Sequence, residues 1–343
     1  MLKTWVRFHT AEKRSATAES VHLKHEGLPR LRRIRFLQTC KINSLDFHET
    51  DEVLVTASDD ESIRLYDTGN AGFLKMIYSK KYGVDQICFT HRKGCVLYAS
   101  KNGWDESLRY LSLFDNKYIC YFKGHRDRVV SLCMCPRSET AFSGSLDHTV
   151  RVWDLRSNVC QAMLRVQGRP SVACDKQGLI FAVTSNWGTV KLFDLQQFEK
   201  GPFETFEVDV NYQEIRGMKF SEDGKLLLLS TSSQIFLLDA FDGVKLREYF
   251  VEPDPEGAAI EACFSPDGQY ILSGSGDGTL HAWNTFTGQE VASWMSQDGV
   301  PGVVKWAPQR LMFATASRSL SFHIPDYRLL APSSYMHDDH PPG

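Results

Sequence analysis

Between residues 124 and 156 the chain reads GHRDRVVSLCMCPRSETAFSGSLDHTVRVWDLR, and its apolar positions recur at every second residue. Val130, Leu132 and Met134 alternate with smaller or polar neighbours, residues 136–139 interrupt them, and a second run covers residues 140–145. A third run, residues 149–153, follows Asp147. Period two with turn residues between the runs predicts short strands in a meander, because alternate side chains of a strand point to opposite faces. The unit recurs along the chain, closing at Asp67, Asp115, Asp154, Asp194, Asp239, Asn284 and His323. Successive closings lie 48, 39, 40, 45, 45 and 39 residues apart. A spacing near 40–45 residues marks a radial array of small sheets.

The Gly124-His125 opening and the Trp153-Asp154 close are the signature of a WD-repeat propeller blade. The spacing predicts one buried hydrogen-bonded chain: Asp147 orients His125, His125 meets Ser143, and Ser143 receives the indole N–H of Trp153. Such groups are tolerated inside a protein only when each finds a partner. The chain is structural, since Ser143 falls within a strand and not at the exposed elbow that a nucleophile needs. Other copies depart from the template: Tyr66 replaces the Trp in the first, the second lacks Gly-His, and Trp187 takes the turn Asp position in the fourth. Gly274, Gly276 and Gly278 have the wrong spacing for a phosphate loop, and Asp277-Gly278 falls where a hairpin must turn through positive φ. The seventh unit, residues 303–325, has three strands, and a lone strand at residues 34–37 is expected to complete it and remove a free sheet edge. The expected architecture is all-β: a single seven-bladed WD-repeat β-propeller over residues 34–325, closed by an N-terminal strand. A basic, solvated arm (1–33) and a tail (326–343) flank it.

Composition adds limits. A formal net charge of −3 gives no global attraction to nucleic acid or an anionic membrane. Nine cysteines form no C-x-x-C pair and sit mostly in apolar strand patterns, which reads as reduced core thiols of an intracellular protein. Cys133 and Cys135 share a strand face, but two further zinc ligands are not found nearby. No run of eighteen apolar residues and no secretory segment is visible. Residues 1–35 carry nine Lys or Arg against three Glu, a net of +6, and a nuclear-targeting or nucleic-acid-contacting segment is the sharper alternative to a solvated arm. The tail's His337-Asp338-Asp339-His340 is not expected to hold a metal.

The runs MIYSKKYGVDQ, SLRYLSLFDNKYICYFKGHRDRVVSL, SGSLDHTVRVWDLRSNVCQ, GLIFA, VKLFDLQQFEKGPFETF and KFSEDGK together resemble the WD-repeat subunit of COMPASS-type histone lysine methyltransferase complexes. The similarity covers residues 35 to 325, and SLDFHETDEVLVTASDDESIRLYD and SGSGDGTLHAWN are similar to its plant branch. The resemblance implies a non-enzymatic nuclear scaffold that tethers a SET-domain methyltransferase to the phosphorylated C-terminal repeat of transcribing RNA polymerase II. Related members serve termination and phosphatase assemblies. It implies no cofactor, no membrane, no direct sequence-specific nucleic-acid contact, and a monomer by itself. The residues agree: no nucleophile elbow, H-E-x-x-H or Walker loop is present, and no cluster of ionisable residues is expected at the central channel.

Loops entering successive blades should share one face. They carry Lys41, Tyr78, Lys80, Lys81, Tyr82, Lys123, Arg126, Arg128 and Arg169, a set suited to an acidic or phosphorylated peptide. A function of another class is a substrate receptor of a cullin-RING ubiquitin ligase, because Trp153-Asp154-Leu155-Arg156 resembles a W-D-x-R adaptor-docking box, with Trp153, Asp154 and Arg156 as its contacts.

Overall fold

A computed structural model describes residues 31–257, 259–296 and 299–325. The template unit folds as Val129–Met134, Thr140–Ser145, Thr149–Asp154 and Val159–Arg165, paired in that order as an antiparallel sheet. Its fourth strand alternates exposed and half-buried positions and forms the sheet's outer edge, which is why the apolar pattern marks it less clearly than the first three. Seven such four-stranded sheets form, and each innermost strand packs on that of the next blade, the last returning to the first. The protein is a seven-bladed β-propeller; among the described residues its one helical element is a single 3-10 turn at Phe198–Lys200.

The core is divided among the blade junctions. Seven apolar clusters form, one between each pair of neighbours. Between blades 3 and 4, Phe142 stacks on Phe181 at 4.7 Å between ring centres, and Phe181 stacks on Phe193 at 5.0 Å. Both faces of each sheet are therefore apolar, and each fully buried aromatic or aliphatic side chain is worth about 1.5–3 kcal/mol.

Blade 7 combines both ends of the described chain. Leu31–Gln38 pairs antiparallel with Ser319–Pro325, from Leu31 opposite Pro325 to Gln38 opposite Ser319, with a bulge between Arg33 and Arg35. This is the closure expected for residues 34–37, although the strand begins at Leu31 and takes three residues from the stretch assigned to the arm. The rest of the arm, the tail and its 337–340 cluster lie outside the described residues. Gly278 sits at φ +87°, as the hairpin required, whereas His148 adopts φ +59° at the corresponding turn of blade 3. All nine cysteines are free, and Cys40 departs from the core reading, being exposed just after the closing strand.

Candidate partner-binding face

In blade 3 the strands hold the four polar side chains in register. His125 Nδ1 lies 3.1 Å from Asp147 Oδ2, His125 Nε2 lies 2.7 Å from Ser143 Oγ, and Trp153 Nε1 donates to Ser143 Oγ at 2.8 Å. Asp147 also accepts from Thr149 Oγ1 at 2.6 Å and from the Arg126 amide at 2.9 Å. These donors outweigh the desolvation of Asp147 and hold its carboxyl down at about 2. Burial depresses His125, so a neutral ring donates to Asp147 and accepts from Ser143.

Blades 1 and 2 reach the same end with another residue, one that pattern reading missed. Arg64 bonds Asp60 Oδ2 at 2.5 Å and Ser62 Oγ at 3.0 Å; Arg109 bonds Asp105 Oδ2 at 2.5 Å and Ser100 Oγ at 3.0 Å. In these two blades a guanidinium holds the turn aspartate, the carboxylate that His125 meets in blade 3. Arg109 is buried, and Tyr82 lies flat on it, ring centre 3.2 Å from the guanidinium carbon. Tyr82 is consequently half-buried structure, while neighbouring Trp104 is exposed.

The loops entering the blades surround one mouth of the central channel, a cavity of about 830 Å³. Lys41, Arg128 and Arg169 line it; Tyr78, Lys80, Lys81, Lys123 and Arg126 are exposed on its loops or strand ends, outside the lining. Lys80 and Lys81 lie over the rings of Tyr78 and Tyr82, at 5.4 and 5.2 Å. The lining also brings Lys101, Arg216 and Arg318, so six cations face Asp59, Asp85, Glu214, Asp254, Glu256 and Glu261, six carboxylates. The mouth is therefore balanced rather than basic, because the same loops supply both signs. Arg128 pairs with Asp85 at 2.6 Å, Lys101 with Asp59, and Lys41 and Arg318 share Glu256 at 3.2 and 2.8 Å. Sequence did hold a signal for the missed Arg216: like Lys41 and Arg128, it immediately precedes an innermost strand.

The opposite mouth corrects the expectation that the channel carries no ionisable cluster. Asp46, Lys219, Glu261 and Lys305 line it together with Cys88 and Cys133. Lys305 forms an ion pair with Asp46; desolvation works against the ammonium, but the Asp46 charge and hydrogen bond together with Glu261 outweigh it and raise its pKa. Burial pushes Cys133 and Cys263 up to about 12, which disarms them as nucleophiles. Cys135 is pushed down by a hydrogen bond from Cys174, but no part of it is accessible.

For the W-D-x-R box the structure separates its members. Trp153 is 1% exposed and committed to Ser143, so its ring cannot dock an adaptor. Asp154 accepts from the Arg156 amide at 2.9 Å and closes a turn, leaving Arg156 exposed.

The WD domain, G-beta repeat family matches residues 32–67, 116–154 and 256–284. The chain is 52% identical to Protein ANTHESIS POMOTING FACTOR 1 of Arabidopsis thaliana over 290 residues, covering 83% of this chain and 88% of that protein. It is 44% identical to WD repeat-containing protein 82 of Drosophila melanogaster, covering 84% and 91%. It is 31% identical to COMPASS component SWD2 of Saccharomyces cerevisiae, covering 83% and 91%. Identity of 31–52% over 83% of the chain shows that it belongs to the WD-repeat family of COMPASS-type complex subunits, in its plant branch.

Proposed function

We propose that the protein is a non-enzymatic scaffold of a nuclear chromatin-regulatory complex, linking a SET-domain histone lysine methyltransferase to the phosphorylated C-terminal repeat of transcribing RNA polymerase II. The carrying observation is similarity over 83% of the chain to a protein named as a COMPASS component and over 68% of it to one named as a Set1 complex component. The architecture supports it physically. A closed ring with its core split among seven junctions presents two rigid loop faces, and rigid faces bind without an ordering cost. The face around the 830 Å³ mouth is the docking surface for the phosphorylated repeat, since its arginines can grip phosphate through paired N–H donors. The protein acts as a monomer subunit, with further partners in termination or phosphatase assemblies.

The test is affinity purification from nuclear extract with the full chain as bait. Recovery of a SET-domain protein and of polymerase with phosphorylated repeats is expected. A second reading, substrate receptor of a cullin-RING ligase, rests on the exposure of Arg156. Dominant recovery of a cullin and its adaptor, lost on Arg156→Ala, would replace the scaffold reading with that one.

A further inference from the structure

Among the cations of the channel mouth, Arg169 stands apart. Lys41, Lys101, Arg128 and Arg318 each have a carboxylate within ion-pair distance. Arg169 is half-buried yet, among the described residues, makes no hydrogen bond or ion pair. Arg216, which lines the same cavity, spends one N–H on the Gly257 carbonyl at 2.7 Å and has no carboxylate within ion-pair distance among the described residues. Burial and the nearby Arg216 charge both work against the Arg169 cation, and Glu214 only partly offsets them. A guanidinium withdrawn from water without a partner is a cost that a bound anion would recover.

We infer that Arg169 and Arg216 form the phosphate subsite of this face, receiving the phosphoryl group of a phosphorylated peptide side chain inserted into the channel mouth. This rests on the reading above that a phosphorylated repeat docks here, and it names the two side chains that hold the phosphate. A phosphoserine carries nearly two negative charges and three acceptor oxygens, matching two guanidiniums that lack counter-ions. A carboxylate would satisfy one of them. Glu214 opposes the incoming charge and tunes the affinity downward. Arg128, held by Asp85, positions the wall without gripping the phosphate.

The test measures fluorescence anisotropy of the full chain with a synthetic C-terminal repeat peptide in three forms: phosphoserine, glutamate in its place, and unmodified. The phosphorylated form should bind tightest. Arg169→Gln and Arg216→Gln should each raise its Kd about tenfold or more, and Glu214→Gln should lower it several-fold. Arg169→Gln should also melt at or above the wild-type temperature, because it removes an uncompensated charge; a lower melting temperature would show that Arg169 is a structural cation and overturn the assignment. Wild-type binding with both arginine variants unchanged overturns the subsite while leaving the docking reading intact. No preference of the wild type for the phosphorylated form overturns the docking reading, and the subsite falls with it.

Discussion

Arg128 Nε lies 2.6 Å from Oδ2 of Asp85, a carboxylate only 2% exposed, and the pair ties the loop entering blade 3 to the one entering blade 2. Asp85 raises the Arg128 pKa, chiefly through the hydrogen bond itself. Reversing the charge at this position would set two carboxylates together, one without access to water. Arg128→Glu is therefore expected to lower the melting temperature by several degrees, whereas the exposed Lys80→Glu and Lys81→Glu should stay within about 1 kcal/mol of wild type. Thermal denaturation of the three variants decides it; equal melting would show that the pair contributes nothing.

Ser143 is the node of the blade 3 chain, meeting His125 and Trp153 at once. Ser143→Ala strands an indole N–H and an imidazole nitrogen in the interior, and each buried unsatisfied group costs about 1–3 kcal/mol. A loss of roughly 2–4 kcal/mol in urea unfolding is expected, with part of it recovered in the Ser143→Ala, Trp153→Phe double variant, because one orphan donor is then gone. Simple additivity of the two single losses would contradict the chain.

Acid should act in two stages. His323 is buried, stacked on Phe313 at 4.5 Å, and burial pushes it down to about 4. Since the unfolded state binds the proton more readily, the stability it contributes is complete above about pH 6.5 and is lost as pH falls to about 4; His125, also depressed, acts in the same direction. Asp147, held at about 2, adds stability that is lost from about pH 4 downward to about pH 2. Urea midpoints across this range should show both slopes. His323→Gln should flatten the upper one, and Asp147→Asn the lower.

The closing strand gives a length-dependent prediction. A chain beginning at residue 31 keeps all of Leu31–Gln38 and should unfold in one transition close to that of the full chain. One beginning at residue 39 leaves Ser319–Pro325 as an exposed edge. It should melt earlier and be cut first by protease in blade 7. Indistinguishable melting of the two would mean that closure does not stabilise the ring.

Much of the fold was legible in the sequence because a blade is a local object. Its strands are consecutive, so period-two alternation, turn residues and the Gly-His to Trp-Asp spacing mark it within about forty residues. The closing strand was legible for a different reason: a seventh unit one strand short leaves an edge that another segment must cover. The candidate site was legible only in part. Lys41, Arg128 and Arg169 were found in the loops, but the charges they meet there, Glu256, Asp85 and Arg216, are 215, 43 and 47 residues away along the chain.

By itself, then, the sequence determined seven repeated sheets and their order, since those follow from contacts between near neighbours, and the way the ring shuts, since the seventh unit is one strand short. That Arg109 is buried beneath Tyr82 and that Trp153 is sealed from any partner were decided by packing within and between the blades, and which arginines of the channel mouth meet a carboxylate by the ring bringing distant loops together. The physical reason is that charge pairing and solvent access depend on distance in space, and a propeller brings together loops that the chain holds dozens to hundreds of residues apart.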